Sequence, residues 1–307
     1  MKIYLDLAFL EDFFLSYDDS DRHSRLKRLL YSSESPAQLI INFDFEEIYK
    51  DHEKRVLFRQ IAQKVDVANT DLEILMKADT SSFHETKTTN LFFMNSTSLN
   101  TERFGCFSMT SSQLEKIDLL IFPEKFRVDS KRRDWSFLSP YKLPCNSLIL
   151  TDNYLFSNDE TYENIYSILK ALMPSNLEID FDLTIIGYDA KKSYKSIEEQ
   201  SIKIMTKLKT DYSYNINLTI IREDHHGRYI HTNNTRFFVE KGFGLFKYNR
   251  IKPSDETTIE FSSVAEFGRY TSTYEIRNDE LEKCKKICQV ERMPENLIGN
   301  RKNRLLL

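Results

Sequence analysis

Residues 147–151 read SLILT, and this apolar run opens the pattern that decides the fold of the chain. Segments with helical and strand-like periodicity alternate after it. We predict helices at 162–172, 196–208 and 280–290, and strands at 178–186, 216–221, 229–231 and 236–239. Strands that alternate with helices at this spacing form βαβ crossovers, so the sequence predicts an α/β fold with a mixed, largely parallel sheet.

The first half of the chain is also predicted to be α/β. Its periodicity predicts strands at 2–7, 39–43 and 119–122, and helices at 8–17, 24–31 and 46–63. Residues 66–113 are rich in Asn, Thr and Ser and predict a loop-rich region. Residues 129–144 contain two prolines and the only tryptophan, Trp135, and predict a linker or a domain seam. We therefore predict an N-terminal α/β domain over residues 1–144, a second domain over 145–283, and a helix end with a basic tail over 284–307.

The composition bounds the class of protein. The 307 residues are 40% hydrophobic, 29% charged and 13% aromatic, which is enough for two packed cores and argues against disorder. The net charge of -4 gives no overall basic surface for constitutive nucleic-acid binding, although a local basic groove remains compatible with it. No apolar run predicts a membrane span and no signal peptide is recognisable, so we expect a cytoplasmic protein.

The cysteines do not predict a metal site. There are four of them, without a C-x-x-C pair and without His or Cys ligands at zinc-like spacing. Free thiols in a reducing compartment are the favoured interpretation.

A cluster of polar residues carries the chemistry. Three of the six histidines lie within residues 224–233, directly after the predicted strand at 216–221, where α/β sheets collect functional groups. His226 and Arg228 are two residues apart, so an extended segment would place both on one side. An imidazole beside a guanidinium suits a phosphate, because one group attacks or moves a proton and the other neutralises charge. The alternative is that His226 is an exposed loop histidine. His225 and His231 are assigned no role.

Residues 145–250 resemble phospholipase-D-like proteins, which carry His-x-Lys with an Asp five residues after the Lys. The arrangement is similar to the divergent domain at the C-terminus of some MIT-domain proteins, which reads His-Asp-Arg and has an Asp-Pro-Tyr-like turn and a later glycine turn. The resemblance implies two sets of site residues. The catalytic set is His226, Arg228 and Asn233, and the ligand-binding set is Asp152, Tyr154, Gly242 and Gly244.

This resemblance implies a phosphodiester-directed nuclease or nuclease-like effector that needs no cofactor at this site. Active relatives use two motifs and this chain has one, so we predict a homodimer. Arg228 replaces the usual Lys and Asn233 the usual Asp, which leaves a second hypothesis open. In that hypothesis the domain is a noncatalytic binding or regulatory module for a phosphate-bearing ligand or for a protein partner in a larger complex. Nucleic acid is a candidate partner in the first hypothesis.

Residues 1–6 read MKIYLD and residues 10–13 read LEDF. This start of the chain resembles PIN-like nucleases. The resemblance implies that Asp6, with Glu46 or Glu47, holds a divalent metal such as magnesium or manganese. The residues alone allow a different interpretation, in which Asp6 caps the helix that follows it.

Overall fold

Two β-sheets and the helices that connect their strands make up the computed structural model of the chain. The predicted α/β class is confirmed. The structure describes residues 1–16, 18–41, 43, 50, 59, 65–67, 90–95, 101–156, 161–188, 194–267 and 272–307.

The first sheet is parallel throughout and has the strand order β3-β2-β1-β4-β5. Its strands are β1 (Lys2–Leu5), β2 (Gln38–Ile41), β3 (Val65–Val67), β4 (Asn90–Phe93) and β5 (Phe107–Met109). The side chains of β4 are all buried, as is typical of parallel strands covered on both faces. Starting from β1, the chain places β2 and β3 on one side of this strand. It then places β4 and β5 on the other side. The strand order therefore reverses between β1 and β4, and the crevice beyond their carboxyl ends is where α/β proteins bind ligands.

Two predicted helices cover this sheet, α1 (Leu7–Leu15) and α2 (Asp21–Tyr31). Each begins at a side-chain cap: the Asp6 carboxylate accepts from the Phe9 N–H, and the Ser20 hydroxyl accepts from the His23 N–H. Such caps stabilise a helix by about 1 kcal/mol each. The buried apolar residues are Phe9, Leu10, Phe13, Leu26, Leu29 and Leu30. The helix predicted at 46–63 lies outside the described residues, apart from residues 50 and 59.

The sequence predicts a strand at 119–122, and this prediction is wrong. Those residues fall in a short helix, α3 (Asp118–Ile121), and its end. A four-residue apolar run fits either structure, and here Asp118 binds Arg22 of α2 at 2.6 Å, which holds the turn against that helix.

The second sheet is mixed and has the order β13-β9-β8-β7-β10-β11-β12-β6. Its strands are β6 (Glu124–Val128), β7 (Ser147–Thr151), β8 (Phe181–Gly187), β9 (Ile216–Arg222), β10 (Tyr229–Thr232), β11 (Thr235–Val239), β12 (Thr257–Ser263) and β13 (Leu297–Ile298). Helices α4 (Thr161–Leu172) and α5 (Tyr194–Asp211) connect β7, β8 and β9 as predicted, and α6 (Thr273–Gln289) follows β12.

The mixed sheet is confirmed, but its parallel part is smaller than predicted. Of its seven neighbouring pairs, β7–β8 and β8–β9 are parallel and the other five are antiparallel. The reason is that β10 and β11 are joined by only two residues, and so short a connection allows only antiparallel pairing.

The predicted linker at 129–144 packs into the second core. Trp135 is fully buried, and its indole N–H lies 3.1 Å from both the Asn164 side-chain oxygen and the Phe243 carbonyl. Strand β6, just before this segment, pairs with β12. The predicted boundary between residues 144 and 145 therefore runs through the second sheet and its core, as strand pairing defines them.

The predicted tail over 284–307 also belongs to the second sheet. Strand β13 pairs with β9, and Leu305 and Leu306 are buried. The Asn303 side-chain amide is buried against the middle of the sheet, donating toward the Leu148 carbonyl at 3.2 Å and the Thr184 hydroxyl at 3.1 Å. Within the part of the chain that is described, no helix is long and apolar enough to cross a membrane.

Candidate functional site

Part of the set implied by the phospholipase-D-like resemblance, namely Tyr154, Gly242 and Arg228, lies around Asp152, which follows β7. Its carboxylate is fully buried and accepts from the Tyr154 N–H at 3.0 Å and the Phe243 N–H at 2.6 Å. Burial raises the pKa of Asp152, while these two hydrogen bonds and the charge of Arg228 oppose the rise. Because the carboxylate is buried and already bonded, Asp152 organises the two turns of the site.

The glycine turn fits against this carboxylate. Gly242 has a φ of +88°, and a Cβ atom at this position would lie 2.5 Å from Asp152 Oδ2. Only glycine meets both conditions without strain. The Asp152–Tyr154 turn and the glycine turn are thus in direct contact, and Gly244 lies near Gly242, half-buried.

Arg228 reaches the same place from the segment before β10. Its guanidinium carbon lies 5.7 Å from the centroid of the Tyr154 ring, and Nη1 donates to the Glu240 carbonyl. No ion pair of Arg228 is found with the residues that the structure describes. Tyr154 is 56% exposed, so ligands can reach this side of the site. We call Arg228, Tyr154 and the turn at Gly242 the Arg228 site.

His226 and Asn233 are not brought into contact with Arg228. The His226 side chain is exposed, and its ring makes no hydrogen bond or ion pair with a described residue. Arg228 precedes β10 and Asn233 follows it, so the two residues lie at opposite ends of this strand. Because β10 runs antiparallel to β7, Asn233 lies at the start of β7. Its side-chain oxygen accepts from the Asn146 N–H at 2.9 Å and the Ser147 N–H at 3.1 Å, where it fixes the start of β7.

His225 and His231, which carry no predicted role, both lie close to polar side chains. The His225 ring lies 2.6 Å from the Tyr229 hydroxyl, and the Asn153 side-chain oxygen accepts from the His225 N–H at 2.8 Å. Burial is the main cause that lowers the pKa of His225, and Lys283 adds to it. His225 is thereby held beside the Arg228 site, because Asn153 lies next to Asp152.

His231 belongs to a buried charged group between β10, β11 and α6. Its Nε2 lies 3.0 Å from Glu280 Oε2, off the direction of a hydrogen bond, while Arg236 binds both oxygens of Glu280 at 2.7 and 2.8 Å. Burial lowers the pKa of His231 to about 4. Burial alone would raise the pKa of Glu280, but Arg236 and His231 lower it to about 2. No local motif marks this group, because Glu280 lies 44 residues after Arg236.

A second polar cluster lies beyond β1, β4 and β5, at the reversal of strand order in the first sheet. The Asp6 carboxylate accepts from the Phe9 N–H at 2.7 Å and the Asn95 N–H at 2.8 Å. The Asn95 amide donates to Asp12 Oδ2 at 2.6 Å, and the Ser111 hydroxyl lies 3.2 Å from the same oxygen. The predicted capping role of Asp6 is confirmed. Asp12, Asn95 and Ser111 are members that the sequence did not predict.

The PIN-like metal site is only partly represented here. Glu46 and Glu47 lie outside the described residues. Oxygen donors suit magnesium or manganese, but Asp6 already accepts two backbone N–H groups and Asp12 accepts from Asn95 and Ser111. Among the described residues, no group of three His, Cys, Asp or Glu side chains could hold a metal ion. The described part of the cluster is therefore not a complete metal site.

No model of a known protein family and no curated protein matches the chain. The phospholipase-D-like and PIN-like resemblances thus stay predictions from the motifs, and the geometry of the sites carries the functional argument.

Proposed function

We propose that the chain is a phosphodiester-directed protein that binds a phosphate group at the Arg228 site, without covalent chemistry at His226. The observation that carries this proposal is the state of Arg228. Its guanidinium is oriented by the Tyr154 ring and the Glu240 carbonyl, and no carboxylate of a described residue lies within ion-pair distance of it, although the charge of Asp152 acts on it from farther away. An arginine that is already oriented loses less freedom on binding, and its remaining N–H donors match phosphate oxygens.

The surroundings of His226 support binding over catalysis. A histidine nucleophile needs a neighbour that fixes its ring and its proton, and His226 has none among the described residues. Asn233, at the position of the family's Asp, contacts the start of β7 instead of the site. The nuclease hypothesis, with two chains that bring two copies of His226 to one phosphate, is the rival, and one experiment separates the two.

The experiment measures binding and cleavage in the same samples. Fluorescently labelled single-stranded DNA and RNA are titrated with wild type, Arg228→Ala, Arg228→Lys and His226→Ala, first by anisotropy and then on a denaturing gel. We expect Arg228→Ala to weaken binding about tenfold and to reduce the slope of log affinity against log salt by about 1, which corresponds to one phosphate contact. Arg228→Lys should also weaken binding because it lacks the planar fork. His226→Ala should bind as wild type does, and no variant should cleave.

A matched control is Arg127→Ala, which removes an exposed arginine from β6 at the edge of the sheet. It should leave binding unchanged. Cleavage by wild type that disappears in His226→Ala would refute noncatalytic binding and establish the nuclease. Absence of binding to both nucleic acids would remove nucleic acid as the ligand of the Arg228 site.

A second candidate function is supported by the first sheet. The strand order reverses between β1 and β4, and Asp6, Asp12, Asn95 and Ser111 gather at this reversal, which is the expected ligand position in such a sheet. We propose metal-dependent phosphodiester cleavage there as the alternative. Cleavage that chelator abolishes and magnesium or manganese restores, and that Asp12→Asn removes, would support it. Asp12 is the informative position because it is exposed, whereas Asp6 also caps α1.

A further inference from the structure

A groove of about 520 Å³ lies before the amino ends of β7 and β8, whereas the Arg228 site lies beyond the carboxyl end of β7. It is formed where the segment at 102–103 meets the chain just before β7 and just before β8. Its polar lining residues are Glu102, Arg103, Ser139, Lys142, Ser175 and Asn176. A volume of this size is typical of small-molecule sites, and such sites often lie where two structural units meet.

The walls of the groove are held rigidly together. Gly105, with a φ of +73°, packs so closely on the Cys145–Asn146 peptide that a Cβ atom would overlap its backbone. The Asn146 side-chain amide donates to the Phe104 carbonyl at 3.0 Å, and the Glu178 N–H donates to the Arg103 carbonyl at 2.9 Å. These contacts join the segment at 103–105 to the chain before β7 and before β8. The groove is therefore formed before any ligand binds, which reduces the entropy lost on binding.

The charges along the groove favour an anion. Lys142 is half-buried, burial lowers its pKa, and no carboxylate of the described residues pairs with it. Arg103 stacks on the Phe104 ring at 4.4 Å and binds Glu178 through Nη1, while its Nε–H is buried without a hydrogen-bond partner. The one acidic lining residue, Glu102, lies 3.5 Å from Lys116. A cation partly removed from water and an unsatisfied guanidinium N–H both gain from an anion nearby.

We propose that this groove binds a phosphate-bearing small molecule, up to the size of a nucleotide. Lys142 supplies a point charge, and Arg103 supplies the Nε edge of its guanidinium, which suits phosphate oxygens after a small rotation. The hydroxyls of Ser139 and Ser175 and the amide of Asn176 add neutral donors around the same space. The groove lies at the amino ends of β7 and β8, so this ligand and the phosphate at the Arg228 site are bound independently.

The test uses calorimetric titration of the full chain with adenosine 5′-monophosphate, inorganic phosphate and adenosine. We expect saturable binding of at least one of the two phosphate compounds and none of adenosine. Lys142→Met keeps the packing of the side chain without its charge, and it should weaken binding about tenfold or more. Arg103→Lys keeps the charge without the fork and should also weaken it. Lys125→Ala, an exposed lysine on β6, is the matched control and should bind as wild type does.

A second measurement keeps the proposal testable if these variants fold poorly. In wild type, saturating adenosine 5′-monophosphate or phosphate should slow chemical acetylation of Lys142 several-fold relative to Lys125, as read by mass spectrometry. The proposal is overturned if neither phosphate compound binds, or if binding persists in both Lys142→Met and Arg103→Lys. It is also overturned if binding leaves the acetylation of Lys142 unchanged. Arg228→Ala should not alter this binding, so failure here is distinguishable from failure at the Arg228 site.

Discussion

Gly242→Ala tests the contact that holds the Arg228 site together. Alanine at a φ of +88° costs about 1–2 kcal/mol, because the Cβ atom opposes the left-handed backbone. The added methyl would lie 2.5 Å from Asp152 Oδ2. This carboxylate cannot move aside without losing its hydrogen bonds from Tyr154 and Phe243, so overpacking adds about 1–3 kcal/mol. We expect the free energy of unfolding to fall by about 2–5 kcal/mol.

Urea unfolding followed by circular dichroism measures this loss, with the adjacent exposed residue as the control. Lys241→Ala should change the free energy of unfolding by less than about 0.5 kcal/mol. Gly242→Ala should also weaken ligand binding at the Arg228 site, because the turn that carries Gly242 starts beside Glu240, whose carbonyl orients Arg228. A Gly242→Ala protein as stable as Lys241→Ala would refute the argument that this glycine is required by its backbone and by Asp152.

Three further predictions follow from other contacts. Asn233→Ala should lower the free energy of unfolding by about 1–3 kcal/mol, because two N–H groups at the start of β7 lose their acceptor. It should leave ligand binding at the Arg228 site unchanged. Urea unfolding measures the first effect and fluorescence anisotropy the second. The free energy of unfolding should fall as pH drops from about 6.5 to 4, because the folded pKa of His231 lies below its ordinary value and the unfolded chain binds the proton better. It should fall again between about 4.5 and 2, because the folded pKa of Glu280 is lowered in the same way. Unfolding at a series of pH values measures this, and Glu280→Gln should flatten the lower part; a profile that rises on acidification would contradict it. The nuclease hypothesis predicts a two-fold homodimer, and light scattering that finds only monomer at all concentrations would count against that hypothesis while leaving phosphate binding at Arg228 intact.

Much of the second sheet could be predicted from local patterns. The apolar runs that became β7, β8 and β9 alternate with amphipathic segments at βαβ spacing, and the structure contains these elements within a few residues of the predicted bounds. Strands β6 and β12 escaped prediction because charged or polar residues interrupt them, as in EKFRV at 124–128. Their partners lie far away in sequence: β6 pairs with β12 across more than a hundred residues, which no local period reveals.

The site was predictable where neighbours in sequence remain neighbours in space. Asp152 and Tyr154 share one turn, and the glycine turn meets them because β10 and β11 return the chain to the end of β7. Spacing along a motif misleads in the case of Asn233, since five residues of extended chain carry it to the far end of β10. His231 and Arg236 face each other across the β10–β11 hairpin, but Glu280 joins them only through the packing of α6 on the sheet, which no local pattern predicts.

The two outer strands of the second sheet have a consequence for how the protein is made. Strand β6 comes from residues 124–128 and β13 from residues 297–298, and the Asn303 amide sits against the middle strands. During synthesis β6 leaves the ribosome long before β13 and Asn303 do. Until they emerge, the edge of β9 has no strand partner and the Leu148 carbonyl lacks the Asn303 amide. The first sheet, whose strands all precede residue 110, can pair during that interval. Nascent chains halted before residue 297 should therefore recruit chaperones through the exposed edge of β9.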